Sequence, residues 1–383
     1  MLIMKLLRKL HSKIKNRKMN INAEIEGIEY KLIMPNDLKE INIDDFDINT
    51  MPSCCIIKSD KYNFAISKWV SPKRTRSYPF ERVYNTLSVS KKFTVIPIIK
   101  DEGSKGDRDF IQWDTISLMS LLDVYVIFAY YHKAEKHPTR ENKITNQEFD
   151  NEYILSKIDE IGNYHSSALH WNLKEIKDCL PFLVDKVKHN YSKISKELSV
   201  SFHSASGIDK FKKQFEVGFN NFMETSRDKA KGAQHREHLT IQPKEVLTTA
   251  TKATITIKNY LGGLYYLTTD EIAINGDKLY LIEGKHSVNS KLPSLGDIKD
   301  GLLKMILYCN LTNIFIGDIS YEVIPTLKLT SINLTGKLTS NDSEDDKQLF
   351  FDINLFNNSQ IELVKKLIEE SQINNFEIII QGE

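Results

Sequence analysis

The chain contains 383 residues, of which 41% are hydrophobic and 27% are charged, and its formal net charge is +1. This composition is typical of a globular protein with a substantial core and excludes a disordered chain. The small net charge argues against a protein that binds nucleic acid through overall charge alone, although local basic patches can still do so. No apolar run approaches the length of a membrane span, so no membrane contact is expected.

The four cysteines are Cys54, Cys55, Cys179 and Cys309. They show no paired C-x-x-C spacing, and Cys309 falls on the apolar face of a predicted helix. Structural zinc and a disulfide framework are therefore not expected. The pattern favours the reducing environment of the cytoplasm.

The first 131 residues predict a tail followed by an α/β region. Residues 1–19 are basic and are expected to form the tail. Over 20–131, short apolar runs alternate with turn signals, as they do in strands connected by loops. Phe93–Ile99 and Val124–Tyr131 have the composition of strands, and 114–122 favours a helix between them.

Residues 132–241 are expected to form a helical section. It opens with a polar stretch, after which 153–161, 169–188 and 208–223 show the three-to-four-residue apolar spacing of amphipathic helices. Pro181 is expected to kink or break the middle helix, because proline cannot donate the backbone hydrogen bond that a helix interior needs.

The last segment, 242–383, predicts a helix, a strand, a hairpin, a second helix and further strands before a terminal helix. Ser294 has the character of an N-cap for the second helix. Asn313–Ile316 predicts a short strand. Ser359 is the expected cap of the terminal helix, and Phe376–Ile380 the closing strand.

A hairpin is the strongest local signal in this segment. Asn275-Gly276 lies between apolar runs, and a type I′ turn needs positive φ at both of its central residues. Leu279–Ile282 is a continuous apolar run, typical of a strand buried on both faces. Side chains alternate along a strand, so Glu283 and Lys285 should share one face. The turn should bring Asp270, at the opening of the first strand, towards Glu283.

Two carboxylates and a lysine at the end of a buried strand predict a divalent metal site beside a lysine. Burying these charges without partners or a metal would be costly. The alternative is a solvated ion pair at a strand end, because Glu-x-Lys also occurs at Glu141 and Glu175. Neither of those copies ends a strand, and the hairpin together with Asp270 favours the metal site.

The order of elements over 244–317 resembles the PD-(D/E)XK nuclease superfamily, with an acid opening one strand and Glu-x-Lys closing the next. With its long N-terminal region the chain is most similar to a type II restriction endonuclease, and the stretch Asp297–Met305 adds to this similarity. The resemblance implies an α/β fold: a restriction-endonuclease-like core, with a mixed sheet flanked by helices, at 242–383. DNA recognition would fall to the N-terminal α/β region, with the helical section in the middle.

The resemblance also implies roles for individual residues. Asp270 matches the first acid of the motif, and Glu283 with Lys285 matches the Glu-x-Lys pair. Thr269 stands where the family usually has proline. Glu271 is adjacent and could compete with Asp270 for the acid role.

The implied cofactor is Mg²⁺, which prefers oxygen ligands and retains several waters. Asp270 and Glu283 would hold it, with the backbone carbonyl of Gly284 on one side. Glu245 is the candidate for an upstream glutamate that completes the site, and Glu237 is its rival. The ion would stabilise charge on the phosphate and lower the pKa of the attacking water, which Lys285 would orient.

Two basic runs are candidates for DNA contact, because Arg and Lys position phosphates and Arg can read base edges. Solvated loops explain either run about as well. The candidate residues are Lys73, Arg74, Arg76, Arg82, Lys229, Lys231 and Arg236.

The resulting hypothesis is a Mg²⁺-dependent, sequence-specific double-stranded DNA endonuclease of a type II restriction–modification system that leaves 5′-phosphates. A homodimer and a cognate DNA methyltransferase encoded at the same locus are expected. The alternatives are a structure-specific repair or recombination nuclease on the same fold, and a non-catalytic DNA-binding protein on a degenerate nuclease scaffold.

Overall fold

The computed structural model describes residues 19–35, 37–72, 80–239, 251–260 and 264–383. They form a mixed α/β protein of two compact units. The central unit is Pro35–Asp228, and the terminal unit combines Met1–Met34 with Lys229–Glu383. Within the described ranges, no helix is both long and apolar enough to cross a membrane.

The strands follow one another along the chain with short spans typical of globular proteins. They are β1 (Met19–Ile25), β2 (Glu40–Asn42), β3 (Cys54–Lys58), β4 (Asn63–Lys68), β5 (Lys92–Pro97), β6 (Ile99–Asp101), β7 (Arg108–Phe110), β8 (Tyr125–Ala129), β9 (Tyr131–Lys136), β10 (Ile144–Phe149), β11 (Thr251–Asn259), β12 (Leu264–Asn275), β13 (Lys278–Ser287), β14 (Thr312–Ile316), β15 (Ile319–Ser320), β16 (Glu322–Ser331), β17 (Lys337–Thr339) and β18 (Glu377–Gly382).

The described α-helices are concentrated in the second half of the central unit and in the terminal unit. They are α1 (Phe80–Thr86), α2 (Trp113–Leu121), α3 (Asn151–Gly162), α4 (Ala168–Asp178), α5 (Leu180–Leu198), α6 (Ser206–Glu216), α7 (Phe219–Leu239), α8 (Leu295–Cys309), α9 (Glu344–Ile353) and α10 (Asn358–Asn374).

The terminal unit is built on a mixed sheet of nine described strands in the order β15-β14-β1-β11-β12-β13-β16-β18-β17. Its strands β13, β16 and β18 run parallel, while β11, β12 and β13 are antiparallel neighbours. Helix α8 packs on β13 and β16. A parallel pair needs a crossover connection, and α8 lies in the crossover from β13 to β16.

The hairpin between β12 and β13 forms as predicted, but its turn lies one residue later than predicted. Asn275 pairs with Lys278, so the loop is Gly276-Asp277. Gly276 has φ +67° and Asp277 does not have a positive φ, which is the pattern of a type II′ turn and not of type I′. Because glycine at the first loop position supplies the only positive φ required, Asn275 remains in the strand.

The prediction that Asp270 opens its strand was wrong. Strand β12 begins at Leu264, because Tyr266 and Leu267 pair with Thr256 and Ile255 of β11. Asp270 therefore lies inside β12, at a point where the register between β11 and β12 shifts.

Helix α8 begins as the sequence predicts, with the Ser294 side chain accepting a hydrogen bond from the Asp297 backbone N–H. Its apolar face buries Ile298 and Leu302 completely. Gly301 permits close approach to the sheet, since a Cβ there would lie 2.7 Å from Leu327 Cδ1. The predicted strand after this helix is confirmed as β14.

The two compact units do not follow the predicted domain boundaries. Strand β1 belongs to the terminal unit, where it pairs in parallel with β11. The regions 35–131 and 132–228 share the central unit. The segment 132–151, which the sequence marks only as a polar stretch, forms most of the β9–β10 hairpin, in which β10 buries Ile144 and Phe149.

The central unit contains a five-stranded sheet in the order β2-β3-β4-β5-β8. The predicted helix over 114–122 is confirmed as α2. The predicted break at Pro181 is also confirmed, since α4 ends at Asp178 and Pro181 lies in the first turn of α5. Trp171 is fully buried in the core beneath the sheet.

The terminal helix α10 is capped earlier than predicted. Its N-cap is Asn357 and not Ser359, because Asn357 and Gln360 form a reciprocal capping box that satisfies two backbone N–H groups. The closing strand predicted over Phe376–Ile380 is confirmed as β18.

Candidate active site

The three residues predicted from the hairpin lie together in the terminal unit. Glu271 pairs with Ile282 across β12 and β13, and Asp270 lies close enough to Glu283 for the two carboxyl groups to interact electrostatically. The Gly284 backbone N–H donates a hydrogen bond of 2.9 Å to Asp270 Oδ2. The hairpin therefore holds two carboxylates side by side in the middle of the sheet.

Glu283 is almost completely buried, and each of its carboxylate oxygens contacts an ammonium group. Lys285 Nζ lies 3.1 Å from Oε1, and Lys304 Nζ lies 2.7 Å from Oε2. Burial opposes ionisation of Glu283, but Lys304 and Lys285 outweigh it and hold the pKa of Glu283 below its usual value. Glu283 is therefore a carboxylate at neutral pH.

Helix α8 contributes a second carboxylate–lysine pair to the cluster. Asp300 Oδ2 accepts a hydrogen bond of 3.0 Å from Lys285 Nζ, and Lys304 contacts Glu283. The two side chains are four residues apart, so they lie on one face of the helix. Sequence reasoning did not identify either residue, although a charged i, i+4 pair beside a buried apolar face was a detectable signal.

Among the described residues, the cluster contains one more carboxyl group than ammonium groups. Three carboxylates, Asp270, Glu283 and Asp300, face the two ammonium groups of Lys285 and Lys304. In the described part of the chain Asp270 makes no ion pair. Burial and the neighbouring Glu283 raise the pKa of Asp270 to about 6, against the opposing effects of Lys304 and the Gly284 N–H.

Tyr308 adds a buried hydroxyl one helical turn after Lys304. The side chain is 1% exposed, and its Oη makes no hydrogen bond with any described residue. Burial raises the pKa of Tyr308, which interacts electrostatically with Lys304 and Glu283. A polar atom buried without a partner is costly, so a structural or functional reason is expected for it.

The residues present fit a divalent cation held by two carboxylates. Mg²⁺ commonly takes one or two protein carboxylates and completes its shell with water and phosphate oxygens. Asp270 and Glu283 supply that pair, and the surplus negative charge favours a cation. No group of three or more His, Cys, Asp or Glu side chains able to hold a metal occurs among the described residues.

Glu271 lies outside the cluster. Side chains alternate along β12, so Glu271 faces away from Asp270, and its Oε2 accepts a hydrogen bond of 2.8 Å from Lys328 Nζ. The candidate upstream ligand Glu245 is outside the described residues. Its rival Glu237 lies on α7, but its side chain is outside the described part as well.

The predicted DNA-binding residues are only partly described. Arg82 is engaged within the fold, donating to the Lys68 backbone carbonyl at 2.6 Å and pairing with Glu81 at 3.3 Å. Lys229 is exposed on α7. Lys73, Arg74 and Arg76 lie outside the described residues, as do the side chains of Lys231 and Arg236 on α7.

Comparison of the chain with protein-family models, with curated proteins and with solved structures finds no match. Function is therefore inferred from the geometry and chemistry of the cluster.

Proposed function

We propose that this protein is a Mg²⁺-dependent DNA endonuclease whose terminal unit is a restriction-endonuclease-like core of the PD-(D/E)XK type. The observation that carries the proposal is the placement of Asp270 beside Glu283 on adjacent strands, with Lys285 pairing to Glu283. Phosphodiester hydrolysis needs negative charge to hold a metal and positive charge to face the phosphate. Both occur here within one buried cluster.

The finer proposal is a type II restriction endonuclease in the cytoplasm that cleaves duplex DNA at a short sequence and leaves 5′-phosphates. A two-fold dimer would match a palindromic target, and a methyltransferase would protect the host DNA. The basic residues of the first run and of α7 would contact the DNA backbone.

The chain's own residues divide the work. Asp270 and Glu283 would hold Mg²⁺, which when bound stabilises charge on the phosphate and lowers the pKa of the attacking water. Lys285, fixed between Glu283 and Asp300, would orient that water or neutralise charge on the phosphate oxygens. Asp300 is a positioning residue, because it acts through Lys285. Gly301 lets α8 approach closely enough for this contact, with its Cβ position 3.3 Å from Lys285 Cε.

Incubation of the purified protein with unmethylated genomic DNA and Mg²⁺ or Mn²⁺ tests the proposal. Discrete fragments with 5′-phosphate ends are expected, and Asp270→Ala or Lys285→Ala should abolish them. Glu271→Ala is the matched control, since it removes a neighbouring acid that faces the other way. Absence of cleavage both with Mg²⁺ and with Mn²⁺ would contradict the proposal. Cleavage confined to branched or flapped substrates would favour a structure-specific nuclease.

One observation favours a second candidate, a non-catalytic DNA-binding protein. Both oxygens of Glu283 already contact lysines, so the cluster can neutralise much of its charge without a metal. This candidate predicts DNA binding that does not depend on Mg²⁺ and no detectable Mg²⁺ binding in isothermal titration.

A further inference from the structure

We infer that Lys304 is an internal counter-cation of the carboxylate pair, which a divalent ion displaces from Glu283 when it binds. The inference rests on the proposed metal site and concerns how that site is filled. It is carried by the ion-pair geometry of Lys304, by its difference from Lys285, and by the buried hydroxyl of Tyr308.

Lys304 contacts the carboxylate oxygen of Glu283 that a metal would need as a ligand. Its Nζ lies 2.7 Å from Glu283 Oε2, and the two side chains are 18% and 2% exposed. A Mg²⁺ ion binds its oxygens at about 2.1 Å. An ammonium group and a dication on the same small carboxylate would repel each other strongly in so dry a location. Metal binding therefore requires Lys304 to move.

The two lysines of the cluster are not equivalent in this exchange. Lys285 is held by Glu283 and also by Asp300, at 3.1 Å and 3.0 Å. Lys304 has a single ion pair among the described residues, the one with Glu283. When a metal takes Glu283, Lys285 keeps Asp300 as its partner, whereas Lys304 loses its one ion pair within the described ranges.

Two groups could accept a hydrogen bond from a displaced Lys304, the Tyr308 hydroxyl and a phosphate of bound DNA. Tyr308 is four residues further along α8 and therefore on the same face, and its buried Oη lacks a hydrogen bond in the described part of the chain. A phosphate of bound DNA is a second, stronger partner, because a charge-assisted hydrogen bond to an anion exceeds one to a neutral hydroxyl. Lys304 thus links metal binding to substrate binding: the ion should bind weakly alone and more tightly with DNA present.

Calorimetric titration of the full chain with MnCl2 tests this inference directly, by comparing wild type with Lys304→Met. The variant removes the competing cation and keeps an apolar stem of similar length. Its Mn²⁺ affinity should be at least tenfold higher than that of wild type. Lys328→Met is the control, because it removes a lysine paired with Glu271 on the opposite face of the sheet, and its affinity should match wild type.

Thermal unfolding supplies a second readout that does not depend on cleavage. Mn²⁺ should raise the Tm of Lys304→Met by more than it raises the Tm of wild type, since the ion restores the charge that the variant lost. If Lys304→Met does not fold without metal, Lys304→Gln retains a hydrogen-bond donor without the charge and should show the same tighter binding.

The outcomes separate the inference from the proposed function. Equal or weaker Mn²⁺ binding by Lys304→Met, with clear binding by wild type, would overturn the counter-cation role and leave the metal site standing. Absence of Mn²⁺ binding by wild type and by both Lys304 variants would overturn the metal site itself, and with it both proposals.

Discussion

Asp270 lies in an environment very different from that of an ordinary surface acid. Its pKa is raised to about 6, so between roughly pH 4 and pH 6 the folded chain binds a proton there that the unfolded chain releases. Stability therefore falls as the pH rises through this window, and the full cost is present above about pH 6. This loss of folding stability is expected at a site that binds a cation, because the bound cation would stabilise the ionised carboxylate.

Asp270→Asn should stabilise the metal-free protein at pH 8, because it removes a buried charge that makes no ion pair with any residue the structure describes. The expected gain is on the order of 1 to 3 kcal/mol, and it should shrink steadily between pH 6 and pH 4 as the wild-type carboxyl takes up its proton. Urea unfolding at several pH values measures the difference. Glu271→Gln serves as control, and a gain that is the same at pH 4 and pH 8 would contradict the electrostatic origin.

The same pKa predicts the pH dependence of metal binding. Only the ionised form of Asp270 can hold Mg²⁺, so the apparent affinity should rise as the pH rises through about 6 and level off above it. Below that pKa the change should approach tenfold per pH unit. Calorimetric titrations at about pH 5.5, about pH 6.5 and about pH 7.5 would measure this change. An affinity that does not depend on pH would count against Asp270 as a ligand.

Asp300→Asn tests the positioning of Lys285. The amide cannot stabilise the ammonium group as a carboxylate does, so Lys285 should be held less firmly. Loss of a supporting partner of this kind typically costs about 10- to 100-fold in activity. The expected result is a lower kcat with little change in the KM for DNA; an equal loss in Glu271→Ala would indicate a general structural effect.

At the scale of elements, the contact of α8 with the sheet depends on Gly301. Gly301→Ala should lower the free energy of unfolding by about 1 to 2 kcal/mol, because its methyl group meets Leu327 and overpacked cores lose stability. This loss would occur although alanine favours a helix over glycine by about 1 kcal/mol. Gly27→Ala, where a Cβ has open space, is the control. A stabilised Gly301→Ala would show that α8 can shift freely.

Local signals predicted the type of most elements near the site but not their register. The Ser294 cap and the Asn-Gly dipeptide correctly located a helix start and a hairpin, because both act through neighbouring backbone groups. The turn was misplaced by one residue because Gly276, which supplies the positive φ, occupies the first loop position. Asp270 was wrongly placed at the opening of its strand because the pairing of Tyr266 and Leu267 with β11 is not a local signal. The sequence did not identify Lys304 either, because its partner Glu283 lies on another element.

At the scale of the whole molecule, the sequence did not predict how the chain divides into two units. Strand β1 pairs with β11 in register from Met19 with Ala253 to Ile25 with Asn259, and no local pattern specifies a partner so distant along the chain. Among the described residues there is no domain boundary near residue 131, where one was predicted. The strands before this residue and the helices after it share the core of the central unit.

Cleavage of duplex DNA is the activity that we propose for the carboxylate pair and its lysine. The most direct measurement is the Mg²⁺-dependent cleavage rate of unmethylated plasmid DNA by wild type, Asp270→Asn and Glu271→Gln, prepared side by side. Discrete products from wild type and Glu271→Gln, with at least a thousandfold loss in Asp270→Asn, are the predicted result. Cleavage by all three proteins at similar rates, or by none of them, would contradict the account.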